Sequence, residues 1–184
     1  MAKVIVGMTT SIDGFVADKR GSVDRLYSDL ASLQGSPFMN SLIEETGAVL
    51  MGRRTFAMGD ADWYAGNYEF QVPIFVVTHE PPPVHPKENE RLTFTFVTDG
   101  LESALAQAKA AAGDRAVQVV GGADVAQQLM RAGLIDELRV DVMPVLLGDG
   151  LRFFGNADLA DIQLETLGVQ KVGERSCLRF RVRN

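Results

Sequence analysis

The chain is short of the side chains that build metal cages and disulfide frameworks. It has one cysteine, Cys177, and two histidines, His79 and His85, in 184 residues. A single cysteine excludes a disulfide within the chain and a cysteine metal cluster. Cys177 reads as a small buried hydrophobe. Both histidines flank a proline-rich loop, which argues against a histidine zinc site, so no metal is expected. Basic blocks are missing too: 18 Lys and Arg stand against 24 Asp and Glu, a net charge of −6. That balance argues against general affinity for nucleic acid or anionic membranes. No apolar run reaches the ~20 residues that cross a bilayer. The opening MAKVIVGMTT lacks the length and cleavage pattern of a secretory signal. The expected setting is the cytoplasm and the expected partner a small molecule.

What is present is an ordinary globular composition, 46% apolar and 23% charged. It suits one domain over residues 1–184 with a substantial core. Apolar runs at Lys3–Met8, Ala48–Met51, Pro73–Thr78 and Thr93–Val97 read as buried strands. Ser36 as cap, Pro37 at the first position and Gly47 at the stop predict a helix over Pro37–Thr46. Leu101, Leu105, Ala108 and Ala112 share one face of a second helix that stops at Gly113. Prolines 81, 82, 83 and 86 make Glu80–Arg91 a surface loop.

The C-terminal third changes character. Leu138, Val140 and Val142 alternate with Glu137, Arg139 and Asp141, predicting a strand with one wet face. Pro144 marks its end or a bulge. Leu178, Phe180 and Val182 alternate with arginines, and with Ile162–Lys171 they predict a closing antiparallel pair. The whole is a mixed, mostly parallel sheet with an antiparallel edge.

The densest signal is VQVVGGADV, Val117–Val125. A buried strand meets Gly121-Gly122, and a helical pattern then runs to Gly133. Such a junction lets an anion approach bare N–H groups at a helix start. Taken alone, the glycines serve a tight turn equally well. Arg53 and Arg54 follow another strand end at Gly52. Two cations at a helix start oppose its dipole, so they either sit in solvent or await an anionic partner.

Four stretches in order carry a resemblance: TTSIDGFVA (Thr9–Ala17), VLMGRRTF (Val49–Phe56), VVGGADVAQQLMRAGLIDEL (Val119–Leu138) and VDVMPVLLGDGLRFF (Val140–Phe154). The chain resembles the dihydrofolate reductase-like fold. More closely, it is similar to the C-terminal reductase domain of the bifunctional riboflavin-biosynthesis deaminase-reductase. The resemblance implies a three-layer α/β fold and an NADPH-dependent reductase. It passes hydride to a C=N or C=O carbon of a small heterocyclic or ribosyl-pyrimidine-like substrate, as in 5-amino-6-(5-phosphoribosylamino)uracil reduction. By motif, Gly121, Gly122 and Ala123 meet the pyrophosphate, and Gly52, Arg53 and Thr55 hold the other side of the cofactor. Thr78 and His79 lie near the adenosine end, where Arg53 with His79 could bind a 2′-phosphate.

By the same resemblance Asp13, in SIDG, faces substrate as proton donor or anchor; without it, Asp-Gly is a turn signal. Trp63 and Tyr64, with Tyr68 and Phe70, offer either an aromatic wall for a flat ring or core anchoring. The LLGDG turn, Leu146–Gly150, reads as structural. Relatives of this kind imply a homodimer through the C-terminal region. The chain departs from dihydrofolate reductases in one respect: the first-helix carboxylate that holds a pterin falls near Ser36 and Pro37. Glu44 and Glu45 come later on that helix and are expected to face solvent or cap the structure; Asp29 lies nearby. Dihydrofolate reduction and non-catalytic nucleotide binding are the alternative functions. No HxE or PCxxC zinc motif of a deaminase occurs in the sequence.

Overall fold

Apolar, β-branched runs become the centre of one large sheet. The computed structural model describes residues 1–155 and 158–183. In chain order the elements are β1 (Val4–Ser11), β2 (Phe15–Asp18), α1 (Leu30–Leu33), α2 (Pro37–Glu45), β3 (Thr46–Gly52), α3 (Arg53–Phe56) and α4 (Tyr64–Asn67). They continue with β4 (Ile74–Val77), β5 (Phe94–Val97), α5 (Leu101–Ala112), β6 (Ala116–Gly121), α6 (Ala123–Arg131), β7 (Glu137–Met143), β8 (Gly150–Arg152), β9 (Gln163–Val172) and β10 (Arg175–Arg183).

The eight-stranded sheet has the order β5-β4-β3-β6-β1-β7-β10-β9. The strands from β5 to β7 are parallel; β10 and β9 close it antiparallel. This is the mixed, mostly parallel α/β sheet that the alternating apolar runs predict. A two-stranded ribbon, β2 with β8, stands beside it.

The pleat divides the sheet into two faces. Val4, Val6, Ala48, Leu50, Val117 and Val119 turn to one side, where Ala104, Leu105 and Ala108 of α5 and Ala126 and Leu129 of α6 cover them. Val49, Met51, Ile74, Val76 and Phe94 turn to the other, against Phe56, Tyr64, Phe70 and Leu92. Each such Val, Leu, Ile, Met or Phe side chain removed from water contributes about 1.5–3 kcal/mol. Truncating Leu129, fully buried, therefore costs about 2–5 kcal/mol.

The α2 start matches expectation: Ser36 Oγ accepts from Met39 N at 3.2 Å, with Pro37 first in the helix. Its end does not. The chain passes from Glu45 straight into β3 at Thr46, whose Oγ1 donates to Leu42 O at 2.7 Å. Gly47 is a strand residue rather than a helix stop. A Cβ there would lie 2.6 Å from Ala112 O and 2.8 Å from Arg115 Cβ, so glycine serves the close approach of α5.

The expected wet face of β7 is also corrected. Glu137 is fully buried, and the Arg139 side chain is only 13% exposed. Glu137 is ringed by Lys3, Arg139 and Arg179, with Arg139 Nε and Arg179 Nη2 at 2.7 and 3.0 Å. Against the cost of burial, the Arg139 and Lys3 hydrogen bonds hold its carboxyl down to about 2. Among the described residues no helix is long and apolar enough to cross a membrane.

Candidate active site

Parallel strands end at a common edge, and ligand crevices form outside such carboxyl ends. Here Gly52, Val77 and Gly121 end their strands on a cleft of about 1700 Å³. Two glycine junctions face it. Gly121 has φ of +134°, and a Cβ there would lie 2.9 Å from Thr55 Oγ1. Gly122 precedes α6, no side chain caps that helix, and the Gly121–Gly122 peptide is cis. A Cβ on Gly52 would lie 3.1 Å from Val125 Cγ2. The glycines thus leave a bare-backbone cradle between the end of β3 and the start of α6, of the kind an anion can approach.

Beside the cradle, Thr78 Oγ1 donates to Glu80 O at 2.6 Å, shaping the turn after β4. Arg53 Nη1 donates to the same carbonyl at 3.2 Å. Exposed Arg53 and His79 therefore stand on one rim of the cleft.

The other half of the cleft has a charged floor. Arg175, on β10, is 3% exposed and grips Asp29 through Nε–Oδ2 and Nη2–Oδ1, both 2.7 Å. Its Nη1 donates to Thr9 Oγ1 at 2.8 Å and lies 3.5 Å from Asp141 Oδ2. Donation from Arg175 lowers the Asp29 pKa. Burial raises that of Asp141, and burial together with Asp141 pushes the Cys177 thiol up to about 12. Cys177 is thus a neutral buried thiol, while Asp141 holds a proton more readily than an ordinary carboxylate. Arg139 is clamped between Glu137 and Glu45, with Nη1–Oε2 of Glu45 at 2.8 Å. Glu45 is therefore tied to the sheet rather than turned to solvent; Glu44 is exposed. Above this floor, α2 presents Phe38, Met39 and Leu42, none fully buried, as an apolar wall.

Of the residues expected at a cofactor, Gly52, Arg53, Thr55, Thr78, His79, Gly121, Gly122 and Ala123 all line this cleft. Tyr64 lines it too, buried, with its hydroxyl donating to Phe56 O at 3.3 Å and its ring 5.7 Å from that of Phe56. Two residues lie elsewhere. Trp63 is 50% exposed and outside the lining. Asp13 is outside it as well; its Oδ1 and Oδ2 accept from Leu147 N at 3.1 Å and Gly148 N at 2.7 Å. The Ser11 hydroxyl, with the Gly148 and Leu147 amides, holds its carboxyl at about 2. Its geometry is that of an anchor for the LLGDG turn.

The charged floor escaped sequence reasoning. Its one local trace was the run of charges alternating along β7 and β10, and that pattern equally describes a solvated strand face.

The sequence and the fold both have counterparts among known proteins. The model of the RibD C-terminal domain matches residues 2–178. The protein YwjB of Bacillus subtilis is 25% identical over 178 residues, 97% of each chain. A putative riboflavin biosynthesis protein from Shewanella sp. PV-4 superposes with a TM-score of 0.76 at 23% identity, covering 100% of both chains. A dihydrofolate reductase from Enterococcus faecalis, solved with NADP(H), gives 0.59 at 17% identity, covering 99% of this chain and 97% of that one. The fold is dihydrofolate reductase-like, and the chain belongs to the RibD C-terminal domain family.

Proposed function

We propose that the protein is an NADPH-dependent reductase. It passes hydride to a C=N or C=O carbon of a small heterocyclic or ribosyl-pyrimidine-like substrate, of the riboflavin-pathway uracil-reductase type. The observation that carries this reading is the cradle between Gly52 and Gly121–Gly122, which a Cβ at Gly121 would close against Thr55 at 2.9 Å. Family membership and the fold shared with an NADP(H)-bound reductase support it.

NADPH, when bound, supplies the hydride. The chain's own residues do the rest. Backbone at Gly121, Gly122 and Ala123 would receive the pyrophosphate, and Gly52, Arg53 and Thr55 would hold the other side of the cofactor. Arg53 and His79, on one rim, would meet the 2′-phosphate, since guanidinium matches phosphate geometry. The wall of Phe38, Met39 and Leu42 excludes water above the substrate ring. Asp141, a cleft-lining carboxylate whose pKa burial raises, is the group on this floor suited to carry a proton.

Calorimetric titration tests the cofactor assignment. NADPH should bind at least tenfold more tightly than NADH, and Arg53→Ala should collapse that ratio. No binding of either nucleotide would sink the reading. Nucleotide binding without NADPH oxidation on any pterin, pyrimidine or flavin precursor would instead identify a non-catalytic nucleotide-binding protein.

The same reading includes a homodimer. Among the described residues strand β9 is one of the two edges of the sheet, with Leu164, Leu167 and Val169 46%, 41% and 66% exposed. Unpaired edges of this kind seek partners. A 20.0 kDa species in sedimentation at micromolar concentration would exclude the dimer.

A further inference from the structure

Charge divides the cleft into two unlike halves. Among the described residues, the basic side chains that line it without a carboxylate partner are Arg53, Arg54 and His79. All three stand at the cofactor half: Arg53 and Arg54 open α3 beside the glycine cradle, and His79 follows β4. In the substrate half every arginine is taken. Arg139 is held by Glu45 and Glu137, Arg175 by Asp29 and Asp141, and Arg179 by Glu137. Among the described residues no lysine lines the cleft. The start of α2, where an anion could otherwise sit, is closed as well. Pro37 has no N–H, Met39 N donates to Ser36 Oγ, and Asn40 N donates to Ser36 O.

Over this floor stands a carboxylate that no cation meets. Glu69 lies two residues beyond α4, lines the cleft and is accessible to solvent. It makes no ion pair among the described residues, and the groups that feel its charge are Tyr27, Tyr64 and Tyr68. Tyr27 feels Arg175, Asp141 and Glu69 together, which places the Glu69 carboxylate by the charged floor. The hydroxyl of Tyr64 is spent on Phe56 O, and that of Tyr27 is bonded to Thr9. Burial raises the Glu69 pKa, with no neighbouring cation to offset it. Carboxylates therefore outnumber arginines here: Glu45, Glu69, Glu137, Asp29 and Asp141 stand against Arg139, Arg175 and Arg179.

We infer that the substrate half of the cleft rejects phosphate, with Glu69 as the specificity-determining residue, and that the ring enters bearing a neutral or cationic appendage such as an unphosphorylated ribosyl group. This rests on the reductase reading for the identity of the ligand as substrate. It also narrows that reading, because the type reaction acts on a phosphoribosyl compound. A phosphate monoester brings about 1.5–2 negative charges. The arginines could meet it only by releasing carboxylates that would then stand unpaired. Glu69 would repel it directly, and repulsion of this kind sets specificity as effectively as attraction. A sugar hydroxyl or an amine donates to the same carboxylate.

The test uses uridine and uridine 5′-phosphate, a ribosyl pyrimidine without and with its phosphate. Each is titrated calorimetrically at pH 8, where the phosphate is ionised, into protein saturated with NADP⁺ so that the cofactor half is filled. Wild type should bind uridine at least tenfold more tightly than its phosphate, and added salt should shrink that ratio. Glu69→Gln should narrow the ratio and Glu69→Lys should reverse it, with NADP⁺ affinity and the melting temperature of Glu69→Gln unchanged. Equal or tighter binding of the phosphate by wild type, failure of wild type to bind uridine, or a ratio that survives both substitutions would each overturn the assignment. A wild-type protein that takes no NADP⁺ yet keeps the preference for uridine would overturn the reductase reading and leave Glu69 as a phosphate-rejecting residue.

Discussion

Arg175 and Asp29 meet fork to fork, with both hydrogen bonds at 2.7 Å and side chains only 3% and 9% exposed. The pair ties the C-terminal hairpin to the segment that carries α1, under the charged half of the cleft. Removing one partner of a buried pair leaves the other uncompensated, at about 3–5 kcal/mol. Asp29→Ala should lose that much stability in urea melts, and Arg175→Lys, which cannot form the fork, a large part of it. The Asp29 pKa is lowered in the folded state. Its contribution is therefore complete above the ordinary carboxylate range and fades as pH falls through it toward the lower folded value. In Asp29→Ala that part of the acid dependence should vanish.

Asp13 gives a contrasting expectation. Its carboxyl titrates at about 2 instead of 3.8, so its stabilisation is present above 3.8 and is lost between those values as pH falls. Asp13→Asn should lower the melting temperature at pH 7 and flatten its decline in acid. NADPH oxidation at a temperature well below the melt should persist within a few-fold. A loss of turnover on the order of 100-fold, typical of a removed acid catalyst, would place Asp13 in the chemistry after all.

Asp141 should behave as Asp13 does not. Asp141→Asn is expected to reduce kcat on the order of 100-fold with NADPH affinity unchanged. Burial raises its pKa, so the protonated form that serves as donor survives above the ordinary carboxylate range. The wild-type rate should fall as pH rises through that raised value. Stopped-flow hydride transfer as a function of pH checks this, and the falling limb should be absent in the variant.

Gly121→Ala should damage both the fold and the cofactor seat. At φ of +134°, any side chain is strained, and the added Cβ would sit 2.9 Å from Thr55 Oγ1. Strain of this kind costs about 1–3 kcal/mol. Gly122→Ala, with 3.6 Å to the same atom and no positive φ, should cost less stability. Paired melting and NADPH titration should show the Gly121 variant losing both properties and the Gly122 variant affected mainly in binding.

The parallel sheet, the two covering helices and the glycine cradle were legible because each rests on local pattern. Val117–Gly121 is apolar, and Ala104, Leu105, Ala108 and Ala112 recur at helical spacing. The charged floor was not legible, because its partners are far apart in sequence. Arg175 finds Asp29 across 146 residues, and Arg139 finds Glu45 across 94. A buried arginine with a distant carboxylate and a solvated one leave the same local alternation. Gly47 was misassigned for a related reason: its need for glycine comes from Ala112 and Arg115, a neighbouring helix end, rather than from its own. SIDG was legible as a turn, but which amides Asp13 accepts from depended on residues 147 and 148.

The unbroken passage from α2 into β3 bears on how this chain tolerates changes of length. With no loop at Thr46, one residue inserted there would either rotate the wall of Phe38, Met39 and Leu42 or slip β3 against β4 and β6. A slip of one residue turns every side chain of a strand to the opposite face, exchanging Val49 and Met51 with Ala48 and Leu50. Insertions in Glu80–Arg91, which pairs with no strand, should be accepted, while at Thr46 even one should abolish folding.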